Sequence, residues 1–270
     1  MTDLVQPDGL AHLPAAATRL SGVLARPKRI AVGCIAVLTA LGWLSLALMS
    51  SGSASGLWQA LCRPGGAAAF GDLALTGPMW AAMTLAMMLP TAGPMVLTYA
   101  EIADTAARKG EPVVSPLVLT AGYVAVWLGF ALAASVLQWT LVRAGLMTGG
   151  SVDRALGGAI FIAAGLYQFS ALKHACLTQC QRPFPFFFSN WTEQRGGVFR
   201  LGLRQGLYCL GCCWAAMLVM FSVGTMNVVW MAALGVLMTI EKLATTPYFS
   251  RAVGAAFITI GLVMAGWSVV

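Results

Sequence analysis

The sequence predicts an all-α fold, a polytopic membrane helix bundle with about seven transmembrane helices. The chain of 270 residues is 59% hydrophobic and only 9% charged, whereas soluble domains average about 25% charged residues. Its apolar residues are grouped in runs of about 20, and a helix of that length crosses a hydrocarbon core about 30 Å thick. The composition therefore excludes an ordinary soluble protein and makes the lipid bilayer the first expected partner.

Seven apolar segments are predicted to span the membrane within a single domain formed by residues 30–270. Residues 1–29 are predicted to be a poorly ordered cytoplasmic leader. The sixth span is the shortest, and only Gly224-Thr225-Met226-Asn227 separates it from the fifth. The predicted spans are residues 30–49, 79–99, 116–137, 155–172, 206–223, 228–243 and 252–269.

The basic residues predict the orientation of the chain. With the N-terminus in the cytoplasm, all sixteen lysines and arginines except Arg63, Arg143 and Arg154 fall on the cytoplasmic side, as the positive-inside rule requires. Because this segregation accounts for the net charge of +7, the charge does not indicate a nucleic-acid partner.

Three thiols lie close together near the start of the fifth predicted span, at Cys209, Cys212 and Cys213. Helix positions three or four apart share one face, so Cys209, Cys213 and Met217 are predicted to form one column, with Cys212 beside it. The predicted topology places this cluster near the cytoplasmic face. In a reducing cytosol, such a pattern indicates metal binding or catalysis rather than a structural disulfide.

A second pair of thiols, Cys176 and Cys180, follows the fourth predicted span. If the helix continues there, the two thiols share a face, and His174 can add an imidazole from the adjacent turn. Prolines after Cys180 are expected to bend the chain back. We therefore expect four thiolates around one site, two from this pair and two from Cys209 and Cys213.

Methionines repeat in the second predicted span, where Met79, Met83 and Met87 are four residues apart. Methionine fills apolar cores without any functional role, so this stripe is either packing or a set of soft ligands. Pro90 and Pro94 remove donors from the hydrogen-bond ladder of the same helix. Backbone freed in this way at membrane depth is tolerated only inside protein or along a cavity.

Thiolate and thioether ligands together select soft metal ions, with copper(I) first and zinc as the alternative where thiolates dominate. Hard cations prefer oxygen ligands, and the chain has only nine acidic residues. We therefore expect a metal ion, copper(I) before zinc, as the ligand. The candidate ligands are Cys176, Cys180, Cys209, Cys212, Cys213, His174, Met83, Met87 and Met217.

Glu241 and Lys242 close the sixth predicted span. Near the end of a span, both side chains can reach the membrane interface, and the pair then only marks the boundary. Ionisable residues inside a membrane domain are otherwise candidates for function. The sequence leaves both interpretations of Glu241 open.

The set of motifs resembles a bacterial family of unknown function that is described as predicted metal-binding integral membrane proteins. The resemblance covers residues from about Thr76 to Lys242 and implies a multi-pass protein of the bacterial inner membrane that binds a metal. It is carried by Met79-Trp80-Ala81-Ala82-Met83, Ala86-Met87-Met88-Leu89-Pro90, Tyr167-Gln168, Lys173-His174-Ala175-Cys176-Leu177 with Cys180, Gly211-Cys212-Cys213-Trp214 with Met217, and Glu241-Lys242.

A four-residue motif that occurs twice in the sequence suggests an inverted 3+3 repeat. Trp80-Ala81-Ala82-Met83 in the second predicted span recurs as Trp214-Ala215-Ala216-Met217 in the fifth. These are the middle helices of two successive triplets, and inverted repeats are typical of transporters.

Three functions fit these observations. The first is a membrane protein that binds a soft metal and either transports it or delivers it to a partner protein. The second is a membrane thiol oxidoreductase that uses Cys209 and Cys212, whose two-residue spacer is that of redox motifs; Cys209 at a helix start would favour its thiolate. The third is a structural or assembly subunit of a membrane complex, in which the thiols only pack.

Overall fold

A computed structural model describes residues 27–50, 70–148, 150–225, 227–244 and 246–266. These residues are mostly helical. One two-residue antiparallel ladder, β1 (Met147–Thr148) with β2 (Ser151–Val152), closes the turn after α3. The helices are α1 (Pro27–Ser50), α2 (Phe70–Arg108), α3 (Pro116–Arg143), α4 (Arg154–Tyr167), α5 (Ala171–Gln181), α6 (Pro183–Ser189), α7 (Arg195–Leu218), α8 (Met220–Val223), α9 (Val228–Leu243) and α10 (Pro247–Gly266).

Within the described ranges, four helices are long and apolar enough to cross a membrane. They are Thr76–Arg108, Pro116–Arg143, Arg195–Val223 and Tyr248–Gly266, and the bent pair α4 and α5 makes a fifth if it is one span. The predicted helical character is thus confirmed, and these helices are compatible with membrane insertion by length and composition; the seven spans and their orientation stay predictions. Residues 1–26 of the predicted leader and 267–269 of the last predicted span lie outside the described residues.

The fourth predicted span is divided into two helices. The helix α4 ends at Tyr167, and α5 starts at Ala171 at an angle of 65° to it. The hydroxyl of Ser170 accepts a hydrogen bond from the Lys173 backbone N–H. Such an N-cap satisfies a donor that the first turn leaves free, and it starts a new helix that carries Cys176 and Cys180 in another direction.

The helix α7 begins at Arg195, eleven residues before the predicted start of the fifth span. Cys209 consequently lies in the middle of this helix and not at its beginning, so the prediction that a helix N-terminus favours a Cys209 thiolate is wrong. The start of this helix was predicted too late because Arg195, Arg200 and Arg204 make the stretch before residue 206 resemble a polar loop.

Glycines allow two helix pairs to approach closely. A Cβ atom on Gly202 of α7 would lie 2.1 Å from the Leu119 backbone oxygen of α3. On α4 and α10, Cβ atoms at Gly158 and Gly261 would lie 2.8 and 2.7 Å from each other's backbone oxygens. Small residues at such crossings are characteristic of helices packed in membranes. The first crossing fixes α7, which carries the cysteines, against α3.

Replacement of Gly202 by alanine is expected to destabilise the fold, because the added methyl group cannot fit against the α3 backbone. Overpacking typically costs about 1–3 kcal/mol and occasionally more. The thermal unfolding midpoint of the detergent-purified variant should fall clearly below that of the wild type. Gly196→Ala in the same helix is the control, since its Cβ would meet nothing within 4 Å. Equal midpoints for the two variants would contradict the packing described here.

Candidate metal centre

The three thiols of α7 form one buried cluster. Cys209, Cys212 and Cys213 are each 1% exposed, and their Sγ atoms all lie within 4.8 Å of one another. The spacing of three and four residues produces this cluster, because such positions are neighbours on a helix surface. The Sγ atoms of Cys212 and Cys213 are 3.3 Å apart.

The donor set fits a soft metal ion. Two thiolates on opposite sides of an ion, each about 2.3 Å from it as in zinc sites, are at most about 4.6 Å apart. The three Sγ atoms all lie within 4.8 Å of one another, which is close to this span, so one ion could contact all three. Three sulfurs without a carboxylate among them select copper(I) or zinc over hard cations.

The thiols of α5 lie beside this cluster and are only half-buried. The Cys180 side chain lies next to both Cys209 and Cys212. Cys176 packs against the α7 backbone, where a Cβ atom on Gly211 would be 2.6 Å from its Sγ atom. The two sequence clusters thus meet, but the closest group is Cys209, Cys212 and Cys213 rather than two thiols from each helix.

A buried ion pair fixes α5 against α9. Lys173 Nζ lies 2.8 Å from Glu241 Oε2, and the Ser250 hydroxyl of α10 donates to the other carboxylate oxygen. The side chain of Gln181 donates to the backbone oxygens of Glu241 at 3.0 Å and Ala244 at 2.7 Å. Glu241 is therefore turned inward, and Lys173, which the sequence grouped with the cytosolic charges, is buried as well.

Two polar side chains that the sequence analysis did not assign to the site contact Cys209, and a third, Thr91, contacts one of them. Lys242 Nζ donates to Cys209 Sγ at 2.9 Å and to the Thr91 hydroxyl at 2.7 Å. The Tyr123 hydroxyl lies 3.0 Å from Cys209 Sγ and 3.0 Å from the Met88 backbone oxygen, so its single proton goes to one of the two. In the sequence, these roles could have been suspected only because Thr91, Tyr123 and Lys242 are polar residues inside or at the end of apolar segments.

The sequence comparisons identify the family. The sequence model of the family described as PpoB2, copper chaperone, matches residues 78–264, which is more than half of the chain.

The chain belongs to this copper chaperone family.

Comparisons with curated proteins and with solved structures returned no match.

Membership of the copper chaperone family supports the metal-binding character that the motifs implied. The matched residues 78–264 contain all of the thiols and polar residues described above, on α2, α3, α5, α7, α9 and α10. Together with the Cys209, Cys212 and Cys213 cluster, it supports binding of a soft metal ion, with copper as the metal that the family description names.

The predicted methionine ligands lie in the protein interior. Met83, Met87 and Met217 are all buried in the hydrophobic core. Two contacts bracket this stretch of α2: Trp80 stacks on Phe221 with ring centroids 5.0 Å apart, and Thr91 bonds to Lys242. Thr91 is eleven positions after Trp80, and at a rise of about 1.5 Å per residue the two contacts are about 16 Å apart along the helix. The methionines therefore lie between the thiol cluster and the α8 end of the bundle.

His174 is placed in the first turn of α5 and is partly buried. It is not in the group of Cys209, Cys212 and Cys213, whose ligand atoms lie within 4.8 Å of one another. Its role as a ligand stays a prediction.

Replacement of Gly211 by alanine is expected to displace the Cys176 thiol, because the new methyl group would lie 2.6 Å from its sulfur. We expect faster alkylation of Cys176 by a maleimide in metal-free protein, measured by peptide mass spectrometry. Gly196→Ala, on the same helix but without neighbours, is the control. An alkylation rate equal to that of the wild type would contradict the packing of Cys176 on Gly211.

Proposed function

We propose that this protein is an integral membrane copper chaperone that binds copper(I) through cysteine thiolates and delivers it to a partner protein. The observation that carries the proposal is the cluster of three fully buried thiols on α7. Burial removes the thiols from water and oxidants, while the neighbouring thiols offer ligands for exchange. The family match supports the same metal.

The exposed surface supports a location in the membrane. Monomeric soluble proteins rarely expose contiguous apolar patches larger than a few hundred Å². Here large apolar side chains stand exposed on α1, α3, α4, α9 and α10, among them Leu41, Leu132, Leu166, Val236 and Leu262. We propose that these side chains contact lipid, in a protein of the bacterial inner membrane with seven spans, a cytoplasmic N-terminus and an inverted 3+3 arrangement.

The change in exposure from one thiol to the next suggests a route for the ion. Cys176 and Cys180 are half-buried, whereas Cys209, Cys212 and Cys213 are fully buried. Cys180 of the α5 pair lies next to Cys209 and Cys212 of the α7 cluster. An ion that arrives at the α5 thiols can therefore pass to the α7 thiols by replacing one sulfur ligand at a time.

Transport through the bundle is a second candidate function. The observation that favours it is the buried methionine stretch between the thiol cluster and α8, with Met83, Met87 and Met217. Thioethers are ligands for copper(I), and a series of them can pass an ion onward. Delivery to a partner ranks first because methionine in a core has a packing role of its own.

The thiol oxidoreductase alternative is disfavoured by the geometry. Reactive cysteines sit at partly exposed sites where a substrate can approach, but Cys209 and Cys212 are each 1% exposed. The Cys212 thiol donates to the Cys209 backbone oxygen at 3.2 Å and faces Cys213 at 3.3 Å. Among the described residues, no open approach leads a substrate disulfide to this pair.

Replacement of Cys209, Cys212 or Cys213 by serine is expected to lower copper(I) affinity by roughly tenfold or more, because a hydroxyl is a poor ligand for a soft ion. The measurement is competition with a chromophoric copper(I) chelator, using purified protein under reducing conditions. Cys34→Ser, on α1 and outside the cluster, is the matched control and should bind as the wild type does. Wild-type affinity in all three cluster variants would refute the assignment of these ligands.

A further inference from the structure

The short helix α5 is held by α9 at both of its ends. In its first turn, Lys173 Nζ lies 2.8 Å from Glu241 Oε2, and the two side chains are only 1% and 3% exposed. In its last turn, the Gln181 side chain donates to the backbone oxygens of Glu241 at 3.0 Å and Ala244 at 2.7 Å. The two anchors are eight positions apart, which is about 12 Å along a helix. They therefore fix the direction of α5 and not only one point of it.

We call Lys173, Glu241 and Gln181 the α5 clamp. Its carboxylate is itself fixed, because the other oxygen of Glu241 accepts a hydrogen bond from the Ser250 hydroxyl of α10. Removal of one partner from a buried ion pair is strongly destabilising, since it leaves an uncompensated charge in the interior. The clamp therefore resists a motion that separates α5 from α9.

The two thiols of α5 lie between the anchors of the clamp. Cys176 packs on α7, where a Cβ atom on Gly211 would be 2.6 Å from its Sγ atom. Cys180, one turn later, lies next to Cys209 and Cys212. The helix α5 thus contacts α9 through the clamp and α7 through its thiols.

The α7 thiols offer almost no surface to a partner. Cys209, Cys212 and Cys213 are each 1% exposed, whereas Cys176 and Cys180 are half-buried. Ligand exchange requires that the incoming sulfur reaches the ion. An ion at the α7 cluster can therefore be exchanged in two ways: either α5 moves aside, or the ion first passes to the thiols of α5.

We propose that the residues of the α5 clamp are positioning residues for copper transfer, which keep α5 packed on α7 so that the ion moves through Cys180 and Cys176. This inference rests on the proposed copper-binding function. At each step one copper–sulfur bond forms and another breaks, while copper stays in the +1 state. The proton of the incoming thiol passes to the sulfur that is released. The clamp residues do not touch the ion, but they hold the α5 thiols within reach of the α7 cluster.

The rate of copper(I) exchange distinguishes the two routes, because loosening α5 changes it in opposite directions. If the ion passes through the α5 thiols, a loosened α5 misplaces these ligands and exchange becomes slower. If α5 has to move aside, a loosened α5 makes exchange faster. In the first case the equilibrium affinity is retained, because the α7 ligands are intact and loading and release slow by the same factor.

Glu241→Gln is expected to slow both loading and release of copper(I) at least about tenfold, since a misplacement of about 1 Å can cost that much or more. This variant leaves the buried Lys173 cation without its carboxylate, which drives the first turn of α5 toward water. The double variant Lys173→Met/Glu241→Gln has neither charge and should recover part of the rate. The probe is copper(I) carried by a chromophoric chelator, followed by stopped-flow absorbance on detergent-purified protein, and equilibrium competition gives the affinity.

Gln181→Ala loosens the other end of α5 without leaving a buried charge, and it replaces Glu241→Gln if that variant does not fold. It should slow exchange in the same direction. Gln179→Ala, at an exposed position of the same helix, is the matched control and should exchange copper as the wild type does. In metal-free protein, a maleimide should alkylate Cys180 faster in the clamp variants than in the control, measured by peptide mass spectrometry. Wild-type alkylation rates in the clamp variants would contradict the role of the clamp.

Faster copper exchange in the clamp variants would show that α5 is a cover that opens, and would overturn the inference. Exchange rates within about threefold (about 0.7 kcal/mol) of wild type in the folded clamp variants would overturn it as well. So would a fall in affinity equal to the fall in the loading rate, with release unchanged, because a merely structural role predicts that result. A wild-type protein that binds no copper would refute the proposed function instead.

Discussion

The burial of three thiols on one face of α7 is the constraint on which the rest of the structure depends. Neighbouring thiolates in an apolar interior repel one another and lose their hydration, so the surroundings have to supply both shielding and positive charge. The packing of α3 on α7, at Gly202 and through the contact of Tyr123 with Cys209, covers this part of α7. The contact of Lys242 with Cys209 supplies the charge. When a soft cation binds, its positive charge also offsets the negative charge of the thiolates.

Two consecutive residues of α9 connect the two groups of thiols. Glu241 binds Lys173 of α5, the helix that carries Cys176 and Cys180, and Lys242 binds Cys209 of α7. Because both side chains start from the same helix turn, α9 fixes the half-buried thiols and the fully buried thiols relative to each other. This arrangement suits transfer between the two groups, since ligand exchange requires the donor and acceptor sulfurs to stay within reach of one ion.

Local sequence signals predicted the helices and the clustered thiols well. The helix α9 has the predicted bounds, since Asn227 caps its first turn, and α3 begins as predicted at Pro116, behind the cap Ser115. The early start of α7 could not be predicted, because its glycines and arginines resemble a loop until α3 packs against Gly202. The roles of Lys242 and Thr91 were likewise hidden, since these contacting residues are 151 positions apart in the sequence and only the tertiary fold brings them together.

The most direct test of the account is X-ray absorption spectroscopy at the copper edge of the purified, copper-loaded protein. A centre built from Cys209, Cys212 and Cys213 predicts copper in the +1 state with a first shell of sulfur only. Serine at Cys209 should reduce the sulfur contribution, whereas serine at Cys34 should leave the spectrum unchanged. A first shell of nitrogen and oxygen, or copper in the +2 state under reducing conditions, would contradict a buried thiolate centre.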